Sequence, residues 1–340
     1  MTPERRSDRV VLEANLGYWN PDRFPQVQRI IYDNTLSQKD ALELVKSGEG
    51  RVDLVTALSP LETLRVAESP FARVVKNRGS FLMFFGLFNV RKAGSPWRDV
   101  RLRRAMNFAI NREDLIQYAT KGNGVISPAL LPPWSVGYDP TLAPYAFAPG
   151  TARDLLRDAG YPEGLSVRII APAILKERAT VVSKMLEQIG LSVDLQLLDS
   201  TAFSQKIDLS QLDRPAEEQT WDIAVMGLND ILNFPVYYPY HNCAIDGPVD
   251  WVDEEPELRQ LYEQILGTVD PDTQHALMRQ MERHTFEHAY FLFLYNPIGL
   301  FAVNKAVQFV PHITGILNLG ETSVTEEHWS VRKQKATVPE

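Results

Sequence analysis

The chain has 340 residues, 44% of them hydrophobic and 23% charged, which is enough apolar material for more than one lobe. A formal charge of −8, with basic residues only in short runs, argues against a nucleic-acid surface. One cysteine, Cys243, excludes an internal disulfide and a Cys-based zinc site, and the apolar stretches 81–90 and 289–303 are too short or too interrupted to span a membrane.

In chain order, the pattern predicts strands at 10–14 and 27–32. A helix follows at 37–47, with Ser37 as its N-cap and Gly48 closing it. A short buried strand (52–55) and a short helix (60–68) lead into strands at 71–76 and 81–89. A helix starting at Asp99 carries an apolar stripe of Val100, Leu102, Ala105, Met106, Ala109 and Ile110. Asn111 caps a second helix, with Asp114 three residues on. The basic cluster Arg101, Arg103 and Arg104 reads as the solvated face of that first helix, and Arg332, Lys333 and Lys335 as a frayed tail. Residues 125–148 hold five prolines and no periodicity. Leu130, Leu131, Trp134, Tyr138, Tyr145 and Phe147 are nevertheless too apolar for a solvated linker, so the segment is expected to pack on a scaffold.

A helix at 151–159 precedes the clearest unit of the chain: strand 166–171, helix 176–189, Gly190, and strand 192–198. A strand, helix, strand run of this kind requires a crossover, so this region is α/β with parallel strands. Ser200 is expected to cap the next helix. A buried strand at 221–228 follows, then helices at 257–266 and 271–287, the latter with Asp270 as N-cap and Pro271 in its first turn. Strands at 290–295 and 300–303 complete the order.

The run Asp99-Val-Arg-Leu-Arg-Arg-Ala-Met-Asn-Phe-Ala-Ile-Asn-Arg-Glu-Asp-Leu-Ile116 resembles the most distinctive helix pair of a known family. That family is the extracytoplasmic solute-binding proteins of oligopeptide, dipeptide and nickel ABC importers, also called family 5. Other segments resemble it in the same order: 9–15 with Tyr18-Trp19, Val52-Asp53-Leu54, Leu87-Phe88-Asn89, Leu131-Pro132-Pro133, Gly137-Tyr138-Asp139-Pro140, Ala159 to Gly164, and Trp221 to Ala224 leading to Asn229-Asp230. The resemblance runs from about residue 9 to about 310. No single motif is specific, and the ordered set carries the match.

The resemblance implies a two-lobed α/β periplasmic-binding-protein fold of type II, peptide-binding class, N-terminally truncated relative to the family. It implies lobe I from residues 1–88 and 289–340, lobe II from 89–288, and a hinge crossing at Phe88 and Asn89. Capture would proceed by closure of the lobes on a ligand. Asp230, just past a buried strand, then pairs with the amino terminus of a peptide ligand, because a desolvated ammonium needs a counter-charge. Asn229, Phe234, Tyr237 and Trp134 are the further ligand candidates, the aromatics giving apolar contact at little entropic cost. For each of these, turn formation or loop packing is the competing explanation.

No metal site and no cofactor are expected. His284 and His288 share a helix face at a spacing that can hold a metal, yet their position suits packing. No Gly-x-Ser-x-Gly elbow and no phosphate-cradling glycine loop is present, and Cys243 suits an inert core thiol, so no enzyme is expected. The implied partners are a peptide or small-molecule ligand and an ABC permease, with the chain itself a monomer. The implied location is periplasmic or at the cell envelope. Residues 1–9 are charged and lack the apolar core of an export signal, so a genuine start at Met1 implies a cytoplasmic protein. Two readings stand beside transport: a sensor or regulatory ligand-binding domain, and a truncated remnant of a longer binding protein.

Overall fold

The structure is a computed structural model and describes residues 8–336 apart from 49, 230–239, 253–254, 313–316 and 318. In chain order its elements are β1 (Arg9–Glu13), β2 (Arg29–Asp33), α1 (Gln38–Ser47), β3 (Leu54–Val55), α2 (Thr63–Ala67), β4 (Ala72–Asn77), β5 (Leu82–Phe88), α3 (Val100–Ala109), α4 (Arg112–Thr120), β6 (Gly124–Val125), α5 (Pro149–Asp158), β7 (Ser166–Pro172), α6 (Lys176–Glu187), β8 (Ser192–Leu198), α7 (Ser200–Ile207), β9 (Ile223–Asn229), α8 (Asn242–Ala244), α9 (Pro256–Gly267), α10 (Pro271–Glu287), β10 (Phe291–Pro297), β11 (Gly299–Asn304), β12 (Val307–Gln308), β13 (Ser323–Val324) and α11 (Trp329–Ala336).

The chain divides into two compact units, residues 1–79 with 298–340 and residues 80–297. The first unit carries a three-stranded sheet in the order β3-β11-β4, together with the hairpins β1-β2 and β12-β13. Ser37 caps α1 by accepting from the Asp40 amide, and Gly48 closes it at φ 72°, the left-handed conformation that glycine adopts without strain. Leu42 and Val45 of α1 pack with Val55, Leu58, Val66, Leu300 and Ala302 into a small core. The expected frayed tail at 332–335 lies instead within the helix α11. Its start is held by Trp329, whose indole N–H donates to Asp53.

The second unit holds a six-stranded sheet in the order β6-β10-β5-β9-β7-β8. β7 is parallel to both β8 and β9, while β5 is antiparallel to β9 and β10. Side chains alternate across a strand, so each central strand feeds two cores. Phe84, Phe88, Ile169, Ile223, Val225, Leu292 and Leu294 pack against Leu102, Met106, Leu115, Leu156, Val182 and Leu186 of α3, α4, α5 and α6. Met83, Phe85, Leu87, Ile170, Ala224, Met226, Phe291 and Phe293 point the other way, toward Phe203, Tyr240, Trp251, Leu258, Tyr262, Met278 and Met281. A sheet with both faces covered is the doubly wound arrangement that the strand, helix, strand pattern demanded.

The unit boundaries differ from those expected at 88/89 and 288/289. β5 and β10 pair with each other and with β9, so both belong to the second unit and the chain changes unit at 79/80 and 297/298. Phe88 pairs with Ile223 in this sheet. Asn89 is fully buried, and its bonds are spent within the second unit: its side-chain amide donates to the Trp221 carbonyl (3.0 Å) and its side-chain oxygen accepts from the Lys92 amide (2.9 Å). Neither residue sits at a unit boundary. α7 is capped by Asp199, which accepts from the amides of Thr201 and Ala202, and not by Ser200. Phe147 is 46% exposed, unlike the buried Leu130 and Leu131 of the same loop.

The helix pair α3 and α4 is fastened to β10 by three polar side chains. β6 reaches β10 only at Asn296 and Pro297, which leaves the edge of β10 nearer its start without a partner strand. There Arg103 donates to the Ala289 carbonyl (3.2 Å), Asn107 to the Phe291 carbonyl (2.9 Å) and Arg112 to the Phe293 carbonyl (3.0 Å). The Asn107 side-chain oxygen accepts from the Phe293 amide (3.0 Å), as a neighbouring strand would. Arg103 is therefore buried at 6% exposure, not solvated, and Arg112 at 4%. Burial pulls the Arg112 guanidinium down to about 10, still charged at neutral pH, and its donors meet carbonyls at Asn107, Ile110 and Tyr145 as well.

Replacing Arg112 with Met removes all these donors while keeping much of the volume. Each stranded acceptor costs about 1 to 3 kcal/mol. We expect Arg112→Met to lower stability by at least 3 kcal/mol on that scale, read as a lower midpoint in urea unfolding. An unchanged midpoint would show that the carbonyls find other donors.

Candidate functional site

The strands β7, β8 and β9 are parallel; β7 and β8 end level at Pro172 and Leu198, and β9 continues past them to Asn229. In open α/β sheets this carboxyl edge is where ligands collect. Asn229 pairs with Leu82 across β5, and Gly227 with Phe84. The glycine is required, because a Cβ at 227 would stand 2.6 Å from the Phe84 ring. Phe84 in turn lies against Tyr295, with ring centroids 5.4 Å apart.

Arg178, in the first turn of α6, completes this corner. Its guanidinium sits 4.5 Å from the Phe84 ring centroid, and its Nε donates to the Tyr295 hydroxyl at 2.6 Å. Burial pushes the Tyr295 phenol up, so it stays protonated. Among the described residues Arg178 makes no ion pair and its outer N–H groups meet no acceptor, whereas Lys92 and Arg168 pair with Asp222 and Asp194. A cation held in this way by an aromatic ring and a phenol is suited to an anionic group of a ligand.

The proline-rich loop reaches the same edge. Ser127 donates to the Asn296 side-chain oxygen (2.6 Å), and the Asn296 amide donates to the Leu82 carbonyl (3.2 Å), next to Asn229 in register. As expected, the loop is packed on a scaffold, which is α10. Leu131 N–H donates to Glu282 (2.8 Å), Tyr145 to the Phe286 carbonyl (2.8 Å), and Arg283 pairs with Asp139. Gly137, at φ 83°, lets the loop lie on Met278, where a Cβ would come within 2.5 Å.

Of the ligand candidates drawn from the sequence, Asp230, Phe234 and Tyr237 lie outside the described residues. The other two are informative. Seven buried side-chain polar atoms among the described residues have no protein hydrogen-bond partner, and three of them are Trp134 Nε1, Ser135 Oγ and Asn229 Oδ1. Buried polar atoms are nearly always paired, so each of these calls for an account. Sequence reasoning missed Arg178, Phe84 and Tyr295. The available signal was position: Arg178 opens the helix that follows a parallel strand.

Other constellations resolve into structure. His284 bonds the Tyr290 hydroxyl (3.0 Å) and faces Glu257 (3.5 Å), and burial, then His288, pull its pKa down. Among the described residues no cluster of three or more His, Cys, Asp or Glu could hold a metal. Cys243 is fully buried, and burial pushes its thiol well up, as suits an inert core residue. In the first unit Asp53, His328 and Ser330 form a hydrogen-bonded row, 3.1 Å and 2.8 Å, beside a cavity of about 610 Å³. The row is a helix cap. His328 precedes α11, its carbonyl accepts from Val331 and Arg332, its Nδ1 faces the Ser330 amide, and Asp53 is already taken by Trp329 and Asn304. We take the second unit's strand edge as the better candidate, although cavities of about 610 and 330 Å³ both lie in the first.

Comparison with known proteins identifies the family. Residues 3–247 match the family model of bacterial extracellular solute-binding proteins, family 5. The dipeptide-binding protein of Escherichia coli K12 is 23% identical over 185 residues, 54% of this chain and 33% of that protein. The glutathione-binding protein of the same organism is 24% identical over 204 residues, 57% of this chain and 37% of that protein. The matched region thus spans only about a third of these relatives. Among solved structures, the periplasmic binding protein DppA from Helicobacter pylori in complex with the peptide STSA aligns at TM-score 0.74 and 20% identity, covering 93% of this chain and 60% of that one. The NikA protein of Brucella suis in complex with Fe(III)-EDTA aligns at TM-score 0.79 and 16% identity, covering 95% and 67%. These likenesses establish the α/β fold, and the chain belongs to the bacterial extracellular solute-binding proteins of family 5.

Proposed function

We propose that this chain is the solute-capturing component of an ABC importer and that its ligand is a small peptide-like molecule with a free carboxylate. The observation that carries the ligand class is Arg178, a cation seated on Phe84 and Tyr295 at the strand edge with no carboxylate partner among the described residues. Asn229 Oδ1 offers an acceptor and Trp134 Nε1 a donor, a set that complements the N–H and C=O groups of a peptide. The resemblance adds Asp230 for the ligand's amino terminus and Phe234 and Tyr237 for its side chains.

The non-enzymatic reading rests on the relatives, which are named for binding, and on the structural uses found for His284, Cys243 and the Ser330 row. No helix among the described residues is long and apolar enough to cross a membrane. We place the protein outside the cytoplasm, delivering its ligand as a monomer to a membrane permease, on the strength of the family.

Isothermal titration of the purified 340-residue chain with the dipeptide Met-Leu and with glutathione tests the ligand class. One of the two should bind saturably. Arg178→Ala should weaken that binding by about tenfold or more, since a desolvated charge pair loses more than 1.4 kcal/mol when truncated. Affinity that is the same in Arg178→Ala would remove Arg178 from the site. Asp230→Ala should weaken binding of Met-Leu but not of N-acetyl-Met-Leu measured in parallel. An equal loss for both would mean that Asp230 does not meet the amino terminus. Failure of both probes to bind would end the peptide reading.

A further inference from the structure

Glu282 lies in the middle of α10 with no exposed surface. One carboxylate oxygen accepts the Leu131 amide at 2.8 Å, and the other accepts the Tyr240 hydroxyl. Leu131 begins the Leu-Pro-Pro-Trp stretch that ends at Trp134. Two prolines in succession fix the backbone between the anchor and the indole, so the position of the Leu131 amide sets that of Trp134. Tyr240 is fully buried in the core beneath the sheet. A single buried carboxyl therefore ties the ligand-facing loop to the hydrophobic core.

We propose that Glu282 is a proton-sensitive positioning residue, which holds the Trp134 loop in place while its carboxyl is protonated and lets the loop open as the carboxyl ionises. The inference rests on the reading of Trp134 as a ligand contact. Among the described residues no cation pairs with Glu282. The ionisable groups that face it are the phenol of Tyr240 on the core side, and Tyr138 and Asp139 on the loop, with Asp139 taken up by Arg283 of α10. Both phenols are pushed up and stay neutral.

The direction follows from linkage. Burial pushes the Glu282 carboxyl from 4.5 to about 7, against the pull of hydrogen bonds from Tyr240, Leu131 and Leu130. An open loop admits water and returns the group toward its ordinary value. The closed state therefore binds the proton more tightly, and the closed loop is most stable below the ordinary value. That advantage falls as pH rises toward 7 and is gone above it. Between pH 5.5 and 8.5 the open-to-closed ratio should rise by about 30-fold.

Hydrogen exchange of the full chain, followed by mass spectrometry on peptides covering 126–148 and corrected for intrinsic rates, reads this ratio. The wild type should show the rise, and Glu282→Gln, neutral at every pH, should stay flat at the protected level. Tyr240→Phe, which removes a bond that favours ionisation, should move the midpoint to higher pH, and it serves if Glu282→Gln does not fold. A flat wild-type profile, or the same slope in Glu282→Gln, overturns the proposal. A loss of protection in Glu282→Gln that is equal at all pH values overturns it too, leaving only a packing role. Met-Leu titrated at pH 5.5 and 8.5 provides the functional arm, with affinity falling at the higher pH in the wild type alone. If Met-Leu binds neither protein, the peptide reading has failed, while the exchange profile still decides the role of Glu282.

Discussion

The exposed edge of β10 is the constraint on which the second unit depends. A strand at the centre of a core cannot leave its carbonyls unpaired, and β6 is too short to cover them. Carbonyls of alternate residues, 289, 291 and 293, face the same way, and the helix pair meets them with side chains at 103, 107 and 112. Arg103 and Asn107 stand one turn apart on α3, and Arg112 at the start of α4 takes the third carbonyl. The same run that carried the family resemblance is the run that closes the sheet. Its two guanidiniums are buried without carboxylates, and each is held by several carbonyl oxygens, which spreads the cost of desolvation over many hydrogen bonds.

Once β10 is fixed, the strand edge follows. β10 sets β5, β5 sets β9 through seven paired residues, and β9 delivers Asn229 to the corner where Phe84 and Tyr295 hold Arg178. The corner is built from strand residues and the first turn of a helix, so its geometry is set by the sheet.

Much of the fold was legible because its signals are local. Ser37, Asp99, Asn111 and Asp270 cap the helices expected of them, and strand 192–198 and helix 271–287 have the bounds their patterns predicted. The unit boundaries were not legible, since they depend on β5 and β10 choosing β9 and each other as partners, a non-local fact. Arg103 was misjudged for a related reason: an arginine on a helix is solvated by default, and only the unpaired carbonyls 180 residues away reverse that. Asp199 took the cap expected of Ser200 because either residue type serves, and the backbone alone decides which stands first. At the candidate site, Asn229 and Trp134 were proposed through the resemblance, whereas Arg178 drew no reading from the sequence. What distinguishes it is its seat on the Phe84 ring and the Tyr295 hydroxyl, residues far away in sequence that only the fold brings to it.

Arg112 and Glu282 illustrate how burial treats opposite charges differently. Both are enclosed, and both are held by backbone groups. Arginine starts so far above neutral pH that a fall to about 10 leaves it charged, so its network is constant across physiological conditions. A carboxyl starts low, and the same burial lifts it to about 7, where small changes of pH alter its charge. The cation therefore serves the permanent frame of the sheet, and the acid sits where the frame meets the loop. A fastening that must never open and one that opens on demand need different chemistry, and the two residues are placed accordingly.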